Sequence, residues 1–344
     1  MNLTSSSQNQ LLPWEIPGWN AEVEEWVRDT LLAQEISLTG PIQEAQRRPW
    51  SVILRVPTSN GDYYCKVCSP VLRHEPDLTK ALAGWMPQVI LGVVGVQERL
   101  GVILMPDGGM TLRNRFAEGA DISLWIPVLR TFAQMQIDMV EHQSALLELG
   151  IIDRRLSILP GLFEGLISDL PSLRIGRKDG LTAEEFERIK AEVPVFRDLC
   201  AKLSGYGIPE TLEHDDFHDG NIFYSEGRVV FYDWGESCLA HPFFSMVVGL
   251  NSISYRFNLK PGDVQWNNLR DAYLAPWEER FERAALLEAF ALAMQLGAVN
   301  RALTWHRVVS SLPRRWKRQN ADAVPGWLKE YLERRAGYSA ANLP

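Results

Sequence analysis

Between residues 36 and 106 the hydrophobic pattern of the chain is mainly strand-like, and after Thr111 it is mainly helical. The predicted strands cover residues 50–56, 63–67, 89–96 and 100–105. Asn60-Gly61, between the first two, is a strong hairpin signal. With a helical patch at 78–85, residues 36–106 are predicted to form a small antiparallel sheet with one helix.

Helical periodicity dominates the rest of the chain. Helices are predicted over residues 19–32, 125–150, 156–170, 182–203, 278–310 and 326–335. A β-like island at 222–233 interrupts them. The predicted organisation is an N-terminal extension and helix (1–35), a β-rich N-lobe (36–106) and a helical C-lobe (107–344), with a ligand cleft between the lobes.

The segment 212–237 combines polar residues with a spacing suited to phosphoryl transfer. Phosphorylation of a hydroxyl needs a carboxylate that orients the acceptor and oxygen ligands that hold Mg²⁺ against the phosphates. The run His214-x-Asp216-x-x-x-x-Asn221 offers both on a polar loop that precedes a predicted strand. Asp216 and Asn221 are therefore candidate functional residues.

A further carboxylate, Asp233, follows the predicted hairpin. Gly227 is the expected centre of its turn, and Asn221 and Asp233 each lie six residues from that glycine. Residues placed in this way face each other in an antiparallel pair, about 5 Å apart at Cα. A neutral oxygen ligand and a carboxylate are thus predicted to meet at the open end of the hairpin, and a register slip of one residue would separate them.

This segment resembles the aminoglycoside phosphotransferase and choline kinase superfamily, and more distantly the protein kinases. The pattern His-Gly-Asp-x-x-x-x-Asn, followed by Ile-Asp-Trp-Gly-Asp, corresponds to residues 214–221 and 232–236. The resemblance implies a bilobal, protein-kinase-like α+β fold with an antiparallel N-lobe and a larger helical C-lobe. It further implies that Asp216 is the catalytic carboxylate, that Asn221 and Asp233 bind Mg²⁺, and that ATP is the phosphate donor.

Two positions depart from the family pattern without removing a required group. Asp215 stands where the family usually has glycine, which predicts a raised pKa for one of two adjacent carboxylates. Glu236 replaces a frequent aspartate and keeps its charge. His214 is predicted to be structural, whereas His218 and Asp219 are predicted to face water.

The β-rich part contains supporting residues in the order that the family has. Lys66 resembles the strand lysine that contacts ATP phosphates, and Glu75 resembles the helix glutamate that pairs with it. Residues 102–109 resemble the lobe connector, where backbone groups near Met105 would meet adenine. The resemblance therefore assigns nucleotide binding to Lys66, Glu75 and Met105.

Two other function classes fit parts of the segment. The doublet His214-Asp215 suggests a His-Asp metal-dependent phosphohydrolase, although such doublets usually lie within helices. A non-catalytic nucleotide-binding relative would be expected to lose one of four residues that are all present: Lys66, Asp216, Asn221 and Asp233. Protein kinase activity is disfavoured because no Ala-Pro-Glu motif follows Asp-Trp-Gly. The sequence thus predicts an enzyme, a small-molecule kinase that uses ATP and Mg²⁺.

Composition narrows the expected partners. Acidic residues outnumber basic ones, 43 against 35, which disfavours nucleic-acid binding. No apolar run reaches the ~18 residues of a membrane span, and no signal peptide is readable, so a cytoplasmic protein without membrane association is expected. The four cysteines are too few for a disulfide framework and are predicted to be buried thiols. No obligate protein partner is indicated, and the acceptor alcohol (antibiotic, choline-like amine alcohol or sugar) stays open.

Overall fold

The computed structural model describes residues 11–341, with side chains through residue 337, so residues 1–10 of the predicted extension lie outside it. Its strands are β1 (Gln43–Arg47), β2 (Ser51–Thr58), β3 (Gly61–Cys68), β4 (Gly95–Gln97), β5 (Val102–Pro106), β6 (Ile152–Asp153), β7 (Thr211–Glu213), β8 (Ile222–Ser225), β9 (Arg228–Phe231) and β10 (Cys238–Ala240).

Helices make up most of the remaining chain. They are α1 (Trp19–Leu32), α2 (Glu75–Trp85), α3 (Leu112–Glu118), α4 (Trp125–Asp138), α5 (Gln143–Glu148), α6 (Leu159–Ser168), α7 (Leu170–Leu173), α8 (Ala183–Ser204), α9 (Ser245–Phe257), α10 (Val264–Leu274), α11 (Arg283–Ser311), α12 (Arg314–Gln319) and α13 (Ala323–Ala341). No helix among the described residues is long and apolar enough to cross a membrane.

The chain divides into two compact units. Among the described residues, the first contains 11–112, 222–235 and 311–319, and the second contains 113–221, 236–310 and 320–341. The ranges 1–35, 36–106 and 107–344 stay a prediction of domain organisation. The α+β class predicted from the sequence is confirmed, with a small antiparallel sheet in the first unit and mainly helices in the second.

The sheet of the first unit has the strand order β1-β2-β3-β5-β4 and is antiparallel throughout. Helix α1 packs against one face of this sheet, because its stripe of Val23, Val27 and Leu31 belongs to the same buried core as Val67 and Leu104. Each fully buried side chain of this kind contributes about 1.5–3 kcal/mol. Successive strand residues point to opposite faces, so Lys66 and Ile103, which are paired across β3 and β5, lie on the face away from α1.

The hairpin of β8 and β9 belongs to the first unit. Its ladder runs from Ile222↔Phe231 to Ser225↔Arg228, which closes a two-residue turn at Glu226-Gly227. Both turn residues have positive φ, 50° and 82°, as a type I′ turn requires. The predicted opposition of Asn221 and Asp233 is therefore wrong by one residue, because the turn is centred between Glu226 and Gly227.

The segment 89–96 is strand-like only in part. Its pairing within the sheet is confined to strand β4 and to Val94, whose N donates to Leu104 O over 2.8 Å, whereas residues 89–91 bond to the hairpin instead. Phe231 N donates to Val89 O over 2.8 Å, and Leu91 N donates to Phe231 O over 3.3 Å. These bonds fasten β9 to the first unit.

The second unit places a short three-stranded sheet, β6-β10-β7, among its helices. Helix α8 begins with a capping box, in which Thr182 and Glu185 exchange side-chain and backbone hydrogen bonds. The predicted helix 125–150 is interrupted by a 3₁₀ turn at Met139–His142. Cys65, Cys68, Cys200 and Cys238 are free and buried, as predicted.

His241 is a fully buried imidazole at the end of β10. Its Nδ1 accepts a hydrogen bond from Phe243 N over 3.3 Å, and its ring packs edge-on against Phe243 at 4.9 Å. Nε2 has no hydrogen-bond partner among residues 11–337. Burial lowers the pKa of His241 to about 3, so the folded protein holds this residue neutral.

This burial predicts a pH-dependent contribution of His241 to stability. Its unfolded-state pKa is about 6.5, so as the pH falls below that value the unfolded chain binds a proton that the folded chain excludes. Stability is therefore lost between pH 6.5 and 3, by up to about 1.4 kcal/mol per pH unit. His241→Asn keeps a capping side chain without this titration, so the free energies of unfolding in urea should converge as the pH falls from 7 to 4. Parallel curves would contradict the assignment.

Candidate active site

Three charged residues meet on the face of the first-unit sheet away from α1. Lys66 on β3 has its Nζ 2.5 Å from Glu75 Oε1 and 2.5 Å from Asp233 Oδ1. Glu75 is the first residue of α2, and Asp233 follows β9. The structure thus brings together the lysine and glutamate that the sequence paired, and adds the carboxylate of the Asp-Trp-Gly motif.

The ion pairs with Asp233 and Glu75 keep Lys66 protonated. The lysine is 6% exposed, and burial alone would lower its pKa. Asp233 and Glu75 outweigh that effect and raise the pKa of Lys66 well above its ordinary value. Lys66 therefore carries a permanent positive charge, and Asp233, whose side chain is 41% exposed, stays open on one side.

The glycine of the Asp-Trp-Gly motif is required by the same ion pair. A Cβ on Gly235 would lie 2.6 Å from Glu75 Oε2, too close for a side chain. Trp234 beside it is fully buried and anchors the motif. Backbone and ion pair therefore fit together only with glycine at this position.

Met105 lies in a separate apolar cluster of the same unit. Its buried members are Leu91, Ile103, Met105 and Val230, with Phe223 and Tyr232 packed against them. The rings of Phe223 and Tyr232 are stacked with their centroids 4.3 Å apart. The segment predicted to meet adenine thus adjoins an apolar and aromatic cluster.

The second unit holds the loop that contains Asp216, directly after β7. Asp215 has a φ of 60°, the left-handed conformation, which explains why the family usually has glycine here. Aspartate is among the few other residues that tolerate it. Asp216 N donates to His214 O over 2.8 Å and closes the turn. Phe217 is buried and stacks on Phe132 at 4.1 Å, which anchors the loop.

Both carboxylate oxygens of Asp216 have partners. Oδ1 accepts from Arg301 Nη2 over 2.7 Å. Oδ2 accepts from Asn221 Nδ2 over 3.2 Å and lies 3.4 Å from His218 Nε2. Gly220 N donates to Nδ1 of that imidazole, which leaves Nε2 as the nitrogen that faces the carboxylate.

These partners keep Asp216 ionised. Burial would raise the pKa of its carboxyl, but the Arg301 guanidinium and the hydrogen bond with His218 hold it well below its usual range. The predicted upward shift from two adjacent carboxylates is therefore wrong for Asp216, because a cation intervenes. One quarter of the Asp216 side chain is exposed (25%), so an ionised oxygen remains accessible.

His214 and Asp215, the doublet that precedes Asp216, make their contacts with other side chains of the protein. Asp215 Oδ1 accepts from Asn300 Nδ2 over 3.0 Å, and its Oδ2 lies 3.6 Å from Arg154 Nη1. The His214 ring is fully buried between Phe132 and Phe217, with centroids 6.5 Å and 6.2 Å away. Both residues therefore serve the packing of the loop.

Two nearby glutamates have raised pKa values. Burial, reinforced by Asp215, raises the pKa of Glu213 to about 8. Burial also raises the pKa of Glu236 to about 7, although its ion pair with Arg301 opposes the shift. An ionised Asp216 thus has in its surroundings two glutamates that readily take up protons.

Asp219 is buried, and the prediction that it faces water is wrong. Its side chain is 2% exposed, and its oxygens accept from Arg113 Nε over 2.8 Å and Arg256 Nε over 2.7 Å. Helices α3 and α9 supply these arginines. His218 is half-buried rather than exposed, because it contacts Asp216.

The predicted metal ligands each keep an oxygen for a cation. Asn221 donates its Nδ2 to the backbone and side chain of Asp216, which leaves Oδ1. Asp233 gives Oδ1 to Lys66, which leaves Oδ2. A hard cation takes such oxygens and completes its shell with water or phosphate, so each of the two residues, taken by itself, suits Mg²⁺. Among the described side chains, no group of three or more His, Cys, Asp or Glu residues is placed to hold a metal ion by itself.

Comparisons with known proteins agree with the geometry. The sequence model of the phosphotransferase enzyme family, APH, matches residues 145–288, which include the Asp216 loop and Asp233. No curated protein gives a significant sequence match. The resemblance predicted from the sequence is confirmed.

Solved structures share the fold at low identity. Choline kinase from Cryptosporidium parvum Iowa II is 12% identical, with a TM-score of 0.60 over 96% of this chain and 94% of that one. A macrolide 2'-phosphotransferase type I is 13% identical, with a TM-score of 0.53 over 87% and 95%. Amicoumacin kinase in complex with AMP-PNP, Ca²⁺ and Ami is 11% identical, with a TM-score of 0.55 over 91% and 95%. The predicted protein-kinase-like α+β fold is confirmed.

Sequence reasoning missed the arginines that hold the loop. Arg301 lies far along the chain, in α11, among fully buried neighbours such as Val299 and Ala302. A charged residue within so apolar a helical stretch is the signal that could have identified it, because such a residue needs a buried partner. Arg113 and Arg256 are partly exposed and carry no comparable signal.

The Asp219 ion pairs predict a loop-specific loss of stability. Asp219→Asn leaves two arginines without their carboxylate, and because both reach water we expect a loss of about 1–3 kcal/mol rather than the larger cost of a fully buried pair. Amide hydrogen exchange in residues 214–221 should accelerate. Glu118→Gln, which removes an exposed pair with Arg115, is the control and should change the free energy of unfolding by less than about 0.5 kcal/mol. Equal effects of the two variants would contradict the role of Asp219.

Proposed function

We propose that the protein is an ATP-dependent phosphotransferase that transfers the γ-phosphate to a hydroxyl of a small molecule. The observation that carries the proposal is Asp216, a carboxylate held ionised by Arg301 while a quarter of its side chain stays exposed. Its place in the Asp-x-x-x-x-Asn loop is the position of the catalytic carboxylate in the family that it resembles.

Asp216 orients the acceptor. The hydroxyl of the acceptor donates to the exposed carboxylate, which directs its oxygen lone pair towards the γ-phosphorus. As the new oxygen–phosphorus bond forms, the bond to the bridging oxygen of ADP breaks and the hydroxyl proton passes to Asp216. A carboxylate with so low a pKa is a weak base, so this proton leaves late and orientation is the larger contribution.

Lys66 supplies the fixed positive charge of the nucleotide site. Its ion pairs with Glu75 and Asp233 keep it protonated and in one place, and we assign it to the phosphates of ATP. The apolar cluster at Met105, with Phe223 and Tyr232, suits a nucleobase, which stacks on aromatic and apolar surfaces. AMP-PNP and Ca²⁺ in the amicoumacin kinase complex support a nucleotide and a divalent cation for this fold.

Asn221 and Asp233 are the proposed ligands of Mg²⁺. Each keeps one oxygen free of the contacts described above. When bound, the ion supplies charge neutralisation at the phosphates.

The His-Asp phosphohydrolase is disfavoured by the contacts of its own doublet. Asp215 is committed to Asn300 and Arg154, and His214 to an aromatic pocket. A non-catalytic relative is disfavoured because Lys66 and Asp216 are both present and both held in their charged forms. A cytoplasmic location and an alcohol acceptor, whether antibiotic, choline-like amine alcohol or sugar, remain part of the proposal.

An acceptor panel tests the proposal. The purified chain with Mg·ATP is offered an aminoglycoside, a macrolide, choline, ethanolamine and a hexose, and ADP release is followed by a coupled assay. At least one alcohol should raise ADP release above the rate with water, and its deoxy analogue should not. Metal-dependent hydrolysis of a phosphomonoester without any stimulation by an alcohol would contradict the proposal.

Asp216→Asn tests the role of the carboxylate. The variant should fold and bind Mg·ATP as the wild type does, because asparagine has the shape of aspartate and the described partners of Asp216, namely Arg301, Asn221 and His218, all lie in the second unit. Loss of the carboxylate that orients the acceptor and takes up its proton should lower turnover by about 10²–10⁴-fold. Asp153→Asn is the matched control, since Asp153 has a 24% exposed side chain paired with Arg155 at 2.7 Å, and its turnover should stay at the wild-type value. Undiminished turnover of Asp216→Asn would refute the assignment.

A further inference from the structure

Arg301 is an arginine buried in the middle of α11, with 5% of its surface exposed. Removing a guanidinium from water costs several kcal/mol unless paired charges and hydrogen bonds compensate. Its partners therefore reveal what the residue does.

The guanidinium of Arg301 is bound on several sides. Nη2 donates to Asp216 Oδ1 over 2.7 Å, and Nη1 donates to Glu236. Nη1 also lies 3.5 Å from Asp215 Oδ2, and the guanidinium carbon lies 5.5 Å from the centre of the Trp305 ring. A planar fork of donors can join two carboxylates in a fixed geometry in a way that a lysine ammonium cannot.

The three paired side chains differ in exposure. The side chain of Arg301 is 6% exposed, that of Glu236 is 12% exposed, and that of Asp216 is 25% exposed. The arginine therefore holds Asp216 from the protein interior and leaves another part of the carboxylate accessible. With Asn221 on Oδ2, the carboxylate is fixed through both oxygens.

We infer that Arg301 is a positioning residue for phosphoryl transfer, which holds the Asp216 carboxylate in its reactive orientation and is itself held by Glu236 and Trp305. This inference rests on the proposed function. Stability alone does not account for the arrangement, because replacing buried ion pairs by well-packed apolar residues is often neutral or stabilising. Fixing the orientation of the group that receives the acceptor proton does account for it, since a misplacement of about 1 Å can cost about 10²-fold in rate.

Arg301→Gln and Arg301→Lys test the inference in the full chain. ADP release from Mg·ATP is measured with the most active alcohol of the panel, and Mg·ATP binding by calorimetry. Arg301→Gln should lower kcat by about 10²-fold with an unchanged Kd for Mg·ATP. Arg301→Lys should recover part of this loss, because an ammonium can bond to Asp216 without joining it to Glu236.

Arg334→Gln is the matched control, since Arg334 is a mostly buried arginine of α13 that pairs with Glu330 at 2.9 Å. It should lower the melting temperature without changing kcat. A kcat near the wild-type value in Arg301→Gln, or an equal fall of kcat in Arg334→Gln, would overturn the inference. If Arg301→Gln fails to fold, Arg301→Lys is measured in its place. A kcat near the wild-type value in that variant would then overturn the inference.

A crystal structure of Arg301→Gln, or of Arg301→Lys if the first variant fails to fold, gives a readout that does not depend on turnover. Asp216 should occupy more than one rotamer, and a single rotamer in its present position would overturn the inference. Absence of any wild-type turnover would instead count against the proposed function, so the two failures are distinguishable.

Discussion

The pairing of Arg301 with Asp216 is the interaction on which the loop of the second unit depends. Glu213, Asp215, Asp216 and Glu236 are carboxylic acids in and around this loop, and the cations Arg301 and Arg154 lie among them. The cations and the protonation favoured at Glu213 and Glu236, with pKa values of about 8 and about 7, compensate the buried charge. Asp216 is the acid that remains ionised and partly exposed, which suits it to accept a hydrogen bond from the acceptor hydroxyl.

In the first unit, buried charge is also compensated by pairing, but here the central group is a cation between two carboxylates. A single buried cation, Lys66, lies between Glu75 and Asp233, and the backbone at Gly235 passes so close to the pair that a side chain would not fit. The Asp216 loop and the Asp-Trp-Gly motif are therefore each fixed by ion pairs. Because the paired groups are buried, they have few other partners. In each unit the more exposed carboxylate, Asp216 or Asp233, is the one to which the proposal assigns contact with substrate or metal.

The parts of the site that could be predicted from sequence are those encoded by local spacing. Asp216, Asn221 and Asp233 stand in one short segment, and the pairing of Lys66 with Glu75 was implied by the family resemblance. Long-range partners could not be predicted, because nothing near Asp216 in the sequence indicates that Arg301, 85 residues away, would reach it. The hairpin register was wrong by one residue because the turn is set by the positive φ of both Glu226 and Gly227, and the sequence pointed to the glycine alone.

A structure with Mg²⁺ and AMP-PNP tests the central claim most directly. We expect the metal to bind Asn221 Oδ1 and Asp233, the phosphates to contact Lys66, and Asp216 to keep its contact with Arg301 without binding the metal. A metal ion held by His214 and Asp215, or a nucleotide bound away from Lys66, would contradict it.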